Sequence, residues 1–288
     1  NSTNKAFHGK FSEYQGHDES YYASEAAKFT NGNLISRNIT YEDFEKNLFK
    51  IIYYLDYPCA GPGSFPQYMV AELASKYVKV VLGGQGGDEI FGGYARYLIA
   101  YLEQCLKAAI DGTYKNGNYI VTLESVIPNL GILREYKPMI KDFWKEGLFD
   151  NMTSRYYRLI NRASETQDII NWEELDSEYT FKEFEKIFDN RNNTNKKAYF
   201  DKMTHFDFKT LLPALLHVED RMSMAHGIET RVPFLDHKII EFAARISADI
   251  KFKEGNMKYI LKKTFDKYLP KTISQRRDKM GFPVPMKQ

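Results

Sequence analysis

Val78-Lys79-Val80-Val81-Leu82-Gly83-Gly84-Gln85-Gly86-Gly87-Asp88-Glu89-Ile90-Phe91-Gly92-Gly93-Tyr94 is the stretch that decides the fold class of this chain. An apolar, β-branched run opens onto four glycines in five residues, the pattern of a buried parallel strand that ends in a bare-backbone turn and continues as a helix. Without Cβ atoms, such a turn leaves amide N–H groups free to face an anion. Asp88 and Glu89 then fall in the first helical turn, where two readings stand. They are either carboxylates that complement the helix dipole, or ligands of Mg²⁺, which takes one or two carboxylates together with phosphate oxygens. The turn is not a Walker loop, because nothing spells G-x-x-x-x-G-K-[ST], and a dinucleotide fingerprint fails because Glu89 stands where the third glycine belongs. Kinase and dehydrogenase readings fall with them, and glycines that serve the turn alone remain the alternative.

Toward the N-terminus, strands alternate with helices. Lys5 to Phe11 reads as a short strand, and Asp18 to Phe29 as a helix with Tyr22, Ala26 and Phe29 on one face, ending near Asn31-Gly32. Asn33 to Ile39 reads as a second strand. Thr40 N-caps a helix through Tyr54, with a capping-box-like Thr40-x-x-Asp43. Asp56 to Pro66, with three prolines and two glycines, reads as an ordered loop, and Gln67 to Lys76 as a helix leading into the Val78 strand. This alternation predicts a parallel α/β sheet, whose ligands bind at the carboxyl ends of strands. The glycine turn lies at such an end.

Beyond Tyr94 helical periodicities take over. They divide the chain into a nucleotide-binding α/β part over residues 1–100 and a mainly helical part over residues 101–288, in which Ser164 to Lys197 reads as a solvated helical excursion. Phe206 to Leu216 is apolar enough for a buried helix, bent or interrupted at Pro213. Glu219, Asp220 and Arg221 follow it, and mutual salt-bridging with Glu229 and Arg231 is the architectural reading of these charges. Asp236 reads as the N-cap of a further helix with Ile239, Ile240, Ala243 and Ile246 facing the core. His217, His226 and His237 lack metal-type spacing. Near the C-terminus, Lys271 to Pro283 combines several cations with Gly281, and one positioned lysine there could reach a nucleotide's phosphates.

At 288 residues, 43% hydrophobic and 15% aromatic, the chain has room for a proper core and is not disordered. A net charge of +2, from 40 basic and 38 acidic residues without a long single-sign run, provides no electrostatic footprint for nucleic acid or for polybasic membrane binding. Small molecules or proteins are the expected partners. Cys59 and Cys105 are too few for a disulfide framework or a cysteine–zinc site, so the cytoplasm is the expected compartment. No apolar stretch approaches a membrane span, and the polar start Asn1-Ser2-Thr3-Asn4-Lys5 does not read as a signal peptide.

Together these regions resemble the synthetase domain of the glutamine-dependent asparagine synthetases and their relatives. The matching residues are Val81 to Tyr94, Asp220 to Asp236, Lys258 to Leu261 with Leu269-Pro270, Lys279 to Phe282, and the early Asp18 to Ala23. The resemblance runs over nearly the whole chain, weakest from Leu102 to Lys197. It implies a parallel sheet of the adenine-nucleotide α-hydrolase (PP-loop ATP pyrophosphatase) type with a large helical C-terminal part. It also implies a ligase that takes ATP and Mg²⁺, activates a carboxylate such as aspartate as its acyl-adenylate, and passes the acyl group to ammonia from a glutaminase domain. By motif, Gly83, Gly84 and Gly86 would line the nucleotide site and Asp88 would hold Mg²⁺-pyrophosphate. Lys279 would stabilise charge developing between the α- and β-phosphates, Lys258 is a second phosphate contact, and His8 and Gly9 lie where relatives meet adenine through backbone atoms. A homodimer is a candidate assembly.

Two departures from the family pattern are visible. The pyrophosphate-binding loop S-G-G-x-D-S does not occur in this sequence, which leads us to expect a piece of a longer protein that does not adenylate a carboxylate by itself. Asparagine synthetases also carry serine and glutamate where this chain has Gly83 and Gln85. Glutamine cannot serve as a base at neutral pH, so the Gln85 amide is expected instead to hydrogen-bond the carboxylate being activated. Amidation of another carboxylate, closure of an intramolecular amide, and a non-catalytic module are the competing functions.

Overall fold

A computed structural model describes residues 4–14, 16–58, 61–112, 133–134, 136–166, 168–194, 198–276 and 284–285. Strands β1 (Lys5–Lys10) and β2 (Asn33–Asn38) lie parallel, with His8 opposite Ser36 and Gly9 opposite Arg37. Helix α1 (Ser20–Phe29) makes the crossover. Its buried residue is Ala27, while Phe29, expected on the inner face, is exposed. Small alanines let the helix approach the strands, and the bulky ring at its last turn rotates outward. Asn31, with φ 51°, reverses the chain, and the Gly32 N–H donates to the Ala27 carbonyl at 2.8 Å.

Helix α2 (Tyr41–Leu55) starts with the expected capping box: the Thr40 hydroxyl accepts from Asp43 N, and the Asp43 carboxylate from Thr40 N. It buries Asn47, Ile51 and Leu55 at helical spacing. Helix α3 (Ser64–Ser75) begins inside what reads as loop. Pro66 does not prevent this, because N–H groups in a first turn have no intrahelical acceptor and a ring costs nothing there. Phe65, Tyr68 and Met69 of α3 pack with Ile51, Leu55 and Ile39 in one core.

Strand β3 (Val80–Leu82) pairs in parallel with β4 (Glu229–Arg231), Val80 opposite Glu229 and Leu82 opposite Arg231. The described strands therefore form two separate two-stranded parallel sheets rather than one. The expectation of a buried strand is also corrected: Val80 is 42% and Leu82 73% exposed. These two residues share a face by strand alternation, and that face is left open.

After β3 come α4 (Gly87–Phe91), α5 (Ala95–Ile110), α6 (Lys137–Trp144), α7 (Met152–Ile160), α8 (Ser177–Phe188), α9 (Tyr199–Lys209) and α10 (Leu211–Met224). The apolar run around Phe206 is broken at Thr210, between α9 and α10, and not at Pro213. Pro213 sits in the first turn of α10, where it is tolerated for the reason that holds at Pro66. The stretch from Ser164 to Lys197 is not wholly solvated, because Phe184 and Phe188 of α8 are buried against Tyr156. α11 (His237–Arg245) follows Asp236, whose carboxylate accepts from Lys238 N at 2.9 Å. Ala243 is its buried residue, whereas Ile239 is exposed.

Contacts gather the chain into two compact units that interleave in sequence, where composition suggests one division at residue 100. The first holds Asn1–Gly86, Leu212–Ile240 and Leu261–Gln288; the second holds Gly87–Leu211 and Glu241–Ile260. The core of the first includes Met69, Ile51, Val218 and Met222. That of the second includes Tyr97, Tyr156, Phe200 and Met203, beside a buried pair in which Arg155 donates to both oxygens of Glu103 at 2.8 and 2.6 Å. Among the described residues no helix is long and apolar enough to cross a membrane.

Candidate functional site

The glycine turn belongs to the first unit up to Gly86. The Gly83 N–H donates to the Arg231 carbonyl at 2.8 Å, carrying the β3–β4 ladder one residue past the strand. Gly86 has φ +90° with Leu235 pressed against its Cα, a conformation and a clearance that only glycine combines. Among the described residues a Cβ on Gly84 would meet nothing within 4 Å, so they leave the backbone open at this point. A Cβ on Gly83 would instead stand 3.1 Å from Glu219 Oε1 and 3.2 Å from Thr230 Cγ2. Gln85 turns toward the same carboxylate, and its Nε2 donates to Glu219 Oε2 at 3.2 Å.

Glu219 is half-buried on α10, and burial raises its carboxyl above the ordinary range, with the Gln85 hydrogen bond opposing. Of the mutual salt bridges expected in this region, only the Glu229–Arg231 pair forms among the described residues. Arg231 pairs with Glu229, two residues away on the same face of β4 and exposed to solvent, and Arg221 approaches Asp56 at 3.5 Å. Among the described residues no ion pair includes Glu219. Sequence reasoning placed this residue among mutual ion pairs and so missed its isolation, although one signal was present. Positions three and four away along the helix hold Leu215, Leu216, Met222 and Ser223, none of which can neutralise a carboxylate.

The helix after the turn belongs to the second unit and separates its two acids. Glu89 is 2% exposed and accepts from the Tyr94 hydroxyl. Burial pushes its carboxyl up, and burial beside Glu89 drives the Tyr94 phenol far above its usual value. The Arg96 guanidinium lies 3.9 Å over the Tyr94 ring and donates to Asp207 at 2.5 Å, which Tyr97 also serves as donor. Glu89 is thus an internal anchor. Asp88 points elsewhere and pairs with Lys258 Nζ at 2.8 Å. Lys258 has φ 55°, a left-handed backbone that costs a non-glycine residue about 1–3 kcal/mol unless its surroundings hold it.

The remaining expected residues lie on other elements of the chain. His8 lies in β1, its Nε2 3.3 Å from the Ser20 hydroxyl; burial lowers its basicity while Asp18 and Glu19 oppose. Gly9 packs its Cα on Ile39 and Val70, where a Cβ would stand 2.7 and 2.9 Å from their side chains. Both belong to the β1–β2 sheet and not to the β3–β4 sheet. Lys279 and Cys59 lie outside the described residues.

Among the described residues no three His, Cys, Asp or Glu side chains gather as a metal cage. Asp88 as a single carboxylate would hold a divalent ion only with the rest of its shell drawn from another source. That fits Mg²⁺, which commonly takes one or two carboxylates and fills the rest with phosphate oxygens and water. The Lys258 cation beside Asp88 is likewise compatible with phosphate oxygens on such an ion.

A family model described as asparagine synthase matches residues 1–288. The chain is 30% identical over 281 residues to the glutamine-hydrolysing asparagine synthetase 1 of Bacillus subtilis, a match covering 96% of this chain and 42% of that protein. It is 24% identical to asparagine synthetase 3 of the same organism, over 83% of this chain and 32% of that one. With the amidase chry2 of Gibberella zeae it shares 23% identity, over 88% of this chain and 38% of the other. The chain thus spans less than half the length of these relatives.

Proposed function

The chain belongs to the asparagine synthase family, and on that premise we propose that it is the amide-forming part of an ATP-dependent synthetase of the PP-loop type. It activates a carboxylate, aspartate first among the candidates, as an acyl-adenylate for attack by ammonia derived from glutamine. The observation that carries the reading is the glycine turn after β3. Its bare backbone at Gly84 is followed by a helix whose first acid, Asp88, faces a lysine while the second is buried.

In this reading Gly83, Gly84 and Gly86 let the nucleotide approach the main chain, and His8 and Gly9 supply backbone to the adenine. Asp88 holds Mg²⁺, which when bound neutralises charge on the phosphate chain. Lys258, released from Asp88, turns to the phosphates. Lys279 stabilises charge that develops between the α- and β-phosphates as pyrophosphate leaves. Gln85 as an amide, where a glutamate would bring charge, favours a second reading in which the carboxylate is not aspartate.

Aspartate-dependent ATP–pyrophosphate exchange by the native protein tests the proposal. Asp88→Asn and Lys279→Ala should each lower exchange by about 10²–10³, the usual cost of losing one preorganised charge. Their melting temperatures should stay near wild type, because a partly exposed ion pair such as Asp88–Lys258 contributes at most about 1 kcal/mol. Full exchange in both variants would sink the assignment. Absence of aspartate-dependent exchange in the wild type, with exchange on another carboxylate, would replace the substrate and keep the chemistry.

A further inference from the structure

The turn that closes α4 holds two adjacent glycines, and they are there for different reasons. Gly92 has φ +72° with the Phe200 ring pressed against its Cα, so conformation and space both require it. Gly93 completes a Schellman turn, its N–H donating to the Asp88 carbonyl at 2.8 Å. Its backbone lies outside the left-handed region, so φ does not call for glycine here. What a side chain at 93 would meet is Asp88. A Cβ would fall on the Asp88 carboxylate, 2.7 Å from its Cγ and 3.0 Å from its Cα, well inside van der Waals contact. The oxygen in the way is Oδ1, the one that pairs with Lys258 Nζ at 2.8 Å. Asp88 can keep this rotamer only while residue 93 has no Cβ.

We infer that Gly93 is a positioning residue for Asp88: its missing side chain keeps the carboxylate where Lys258 reaches it and where a divalent ion arriving with the nucleotide takes the place of Lys258. The inference rests on the ligase reading above, in which Asp88 holds Mg²⁺ and Lys258 turns to the phosphates. Gly93 touches neither; it acts through the orientation of Asp88.

The test follows the melting temperature of the native protein at fixed ATP, first with EDTA and then with rising Mg²⁺, because a ligand that binds the folded state raises the melting temperature by mass action. Wild type should gain an increment that depends on Mg²⁺. Gly93→Ala should keep the rise given by ATP in EDTA and need about 10–100-fold more Mg²⁺ for the increment, the usual cost of disturbing a group that orients a metal ligand. Pyrophosphate exchange should show the same shift and recover at saturating Mg²⁺, since the carboxylate is displaced and not removed, whereas Asp88→Asn should not recover. An unchanged Mg²⁺ requirement in Gly93→Ala, or a loss of exchange that saturating Mg²⁺ does not restore, would mark Gly93 as structural and overturn the inference while leaving the ligase reading intact. Should Gly93→Ala melt too low to assay, an Asp88→Ala background removes the collision and must restore its melting temperature; failure to do so overturns the inference as well. A wild-type protein whose melting with ATP ignores Mg²⁺ would overturn the ligase reading and this inference with it.

Discussion

Glu219 links the two positions at which this chain departs from the pattern of the asparagine synthetases it resembles. A side chain at 83 would begin 3.1 Å from Glu219 Oε1, and a carboxylate at 85 would replace a donor 3.2 Å from Oε2. Glycine at the one and an amide at the other are what a carboxylate at 219 tolerates. Gln85→Glu should therefore create two acids that cannot both ionise cheaply, so one folded-state pKa rises above its unfolded value. For an acid so shifted, the penalty is full above the folded pKa and vanishes below the unfolded one, at about 4.3 for glutamate. Melting curves should place Gln85→Glu below wild type at pH 8, with the gap closing as the pH falls toward 4. A gap that is constant across this range would mean that the two side chains do not share one environment. Asp88, Gln85 and Lys258 were legible as candidates because each belongs to a motif of fixed order along the chain. That Glu219 enters no ion pair among the described residues was not, because counting nearby charges along a sequence says nothing about which of them face each other.

At the scale of elements, local chemistry was read well and burial less so. The capping box at Thr40 needs only residues 40 and 43, and both of its hydrogen bonds form, at 3.3 and 3.2 Å. Thr40→Ala should cost about 1 kcal/mol and lower the melting temperature by a few degrees, with Thr40→Ser restoring it. No change in melting would show that α2 is held by packing of Ile51 and Leu55 alone. Pro66 and Pro213 were both read as marks against helix, yet each sits in a first turn, because a proline's cost depends on its distance from the helix start. Strand β3 was read as buried from its β-branched composition, but composition reports what suits a pleated surface and not which partners cover it.

For the whole molecule, the decisive feature is that the first unit is assembled from three separated stretches of chain. β3 takes its ladder partner from residues 229–231, and Ile51 and Met69 share a core with Val218 and Met222 of α10. A chain ending at residue 100 should therefore lack a cooperative thermal transition, since it loses one strand of a two-stranded sheet and part of its core. A sharp transition in that chain would restore a division near residue 100. The sequence by itself determined the order of strands and helices near the N-terminus, the glycine turn and the family, because these depend on periodicity and on motifs read along the chain. Only the tertiary structure decided that Asp88 meets Lys258, that Glu89 is buried, and that Gln85 meets Glu219. Each joins or separates side chains by packing, and in two of them the partners stand more than a hundred residues apart, a distance at which no local propensity acts.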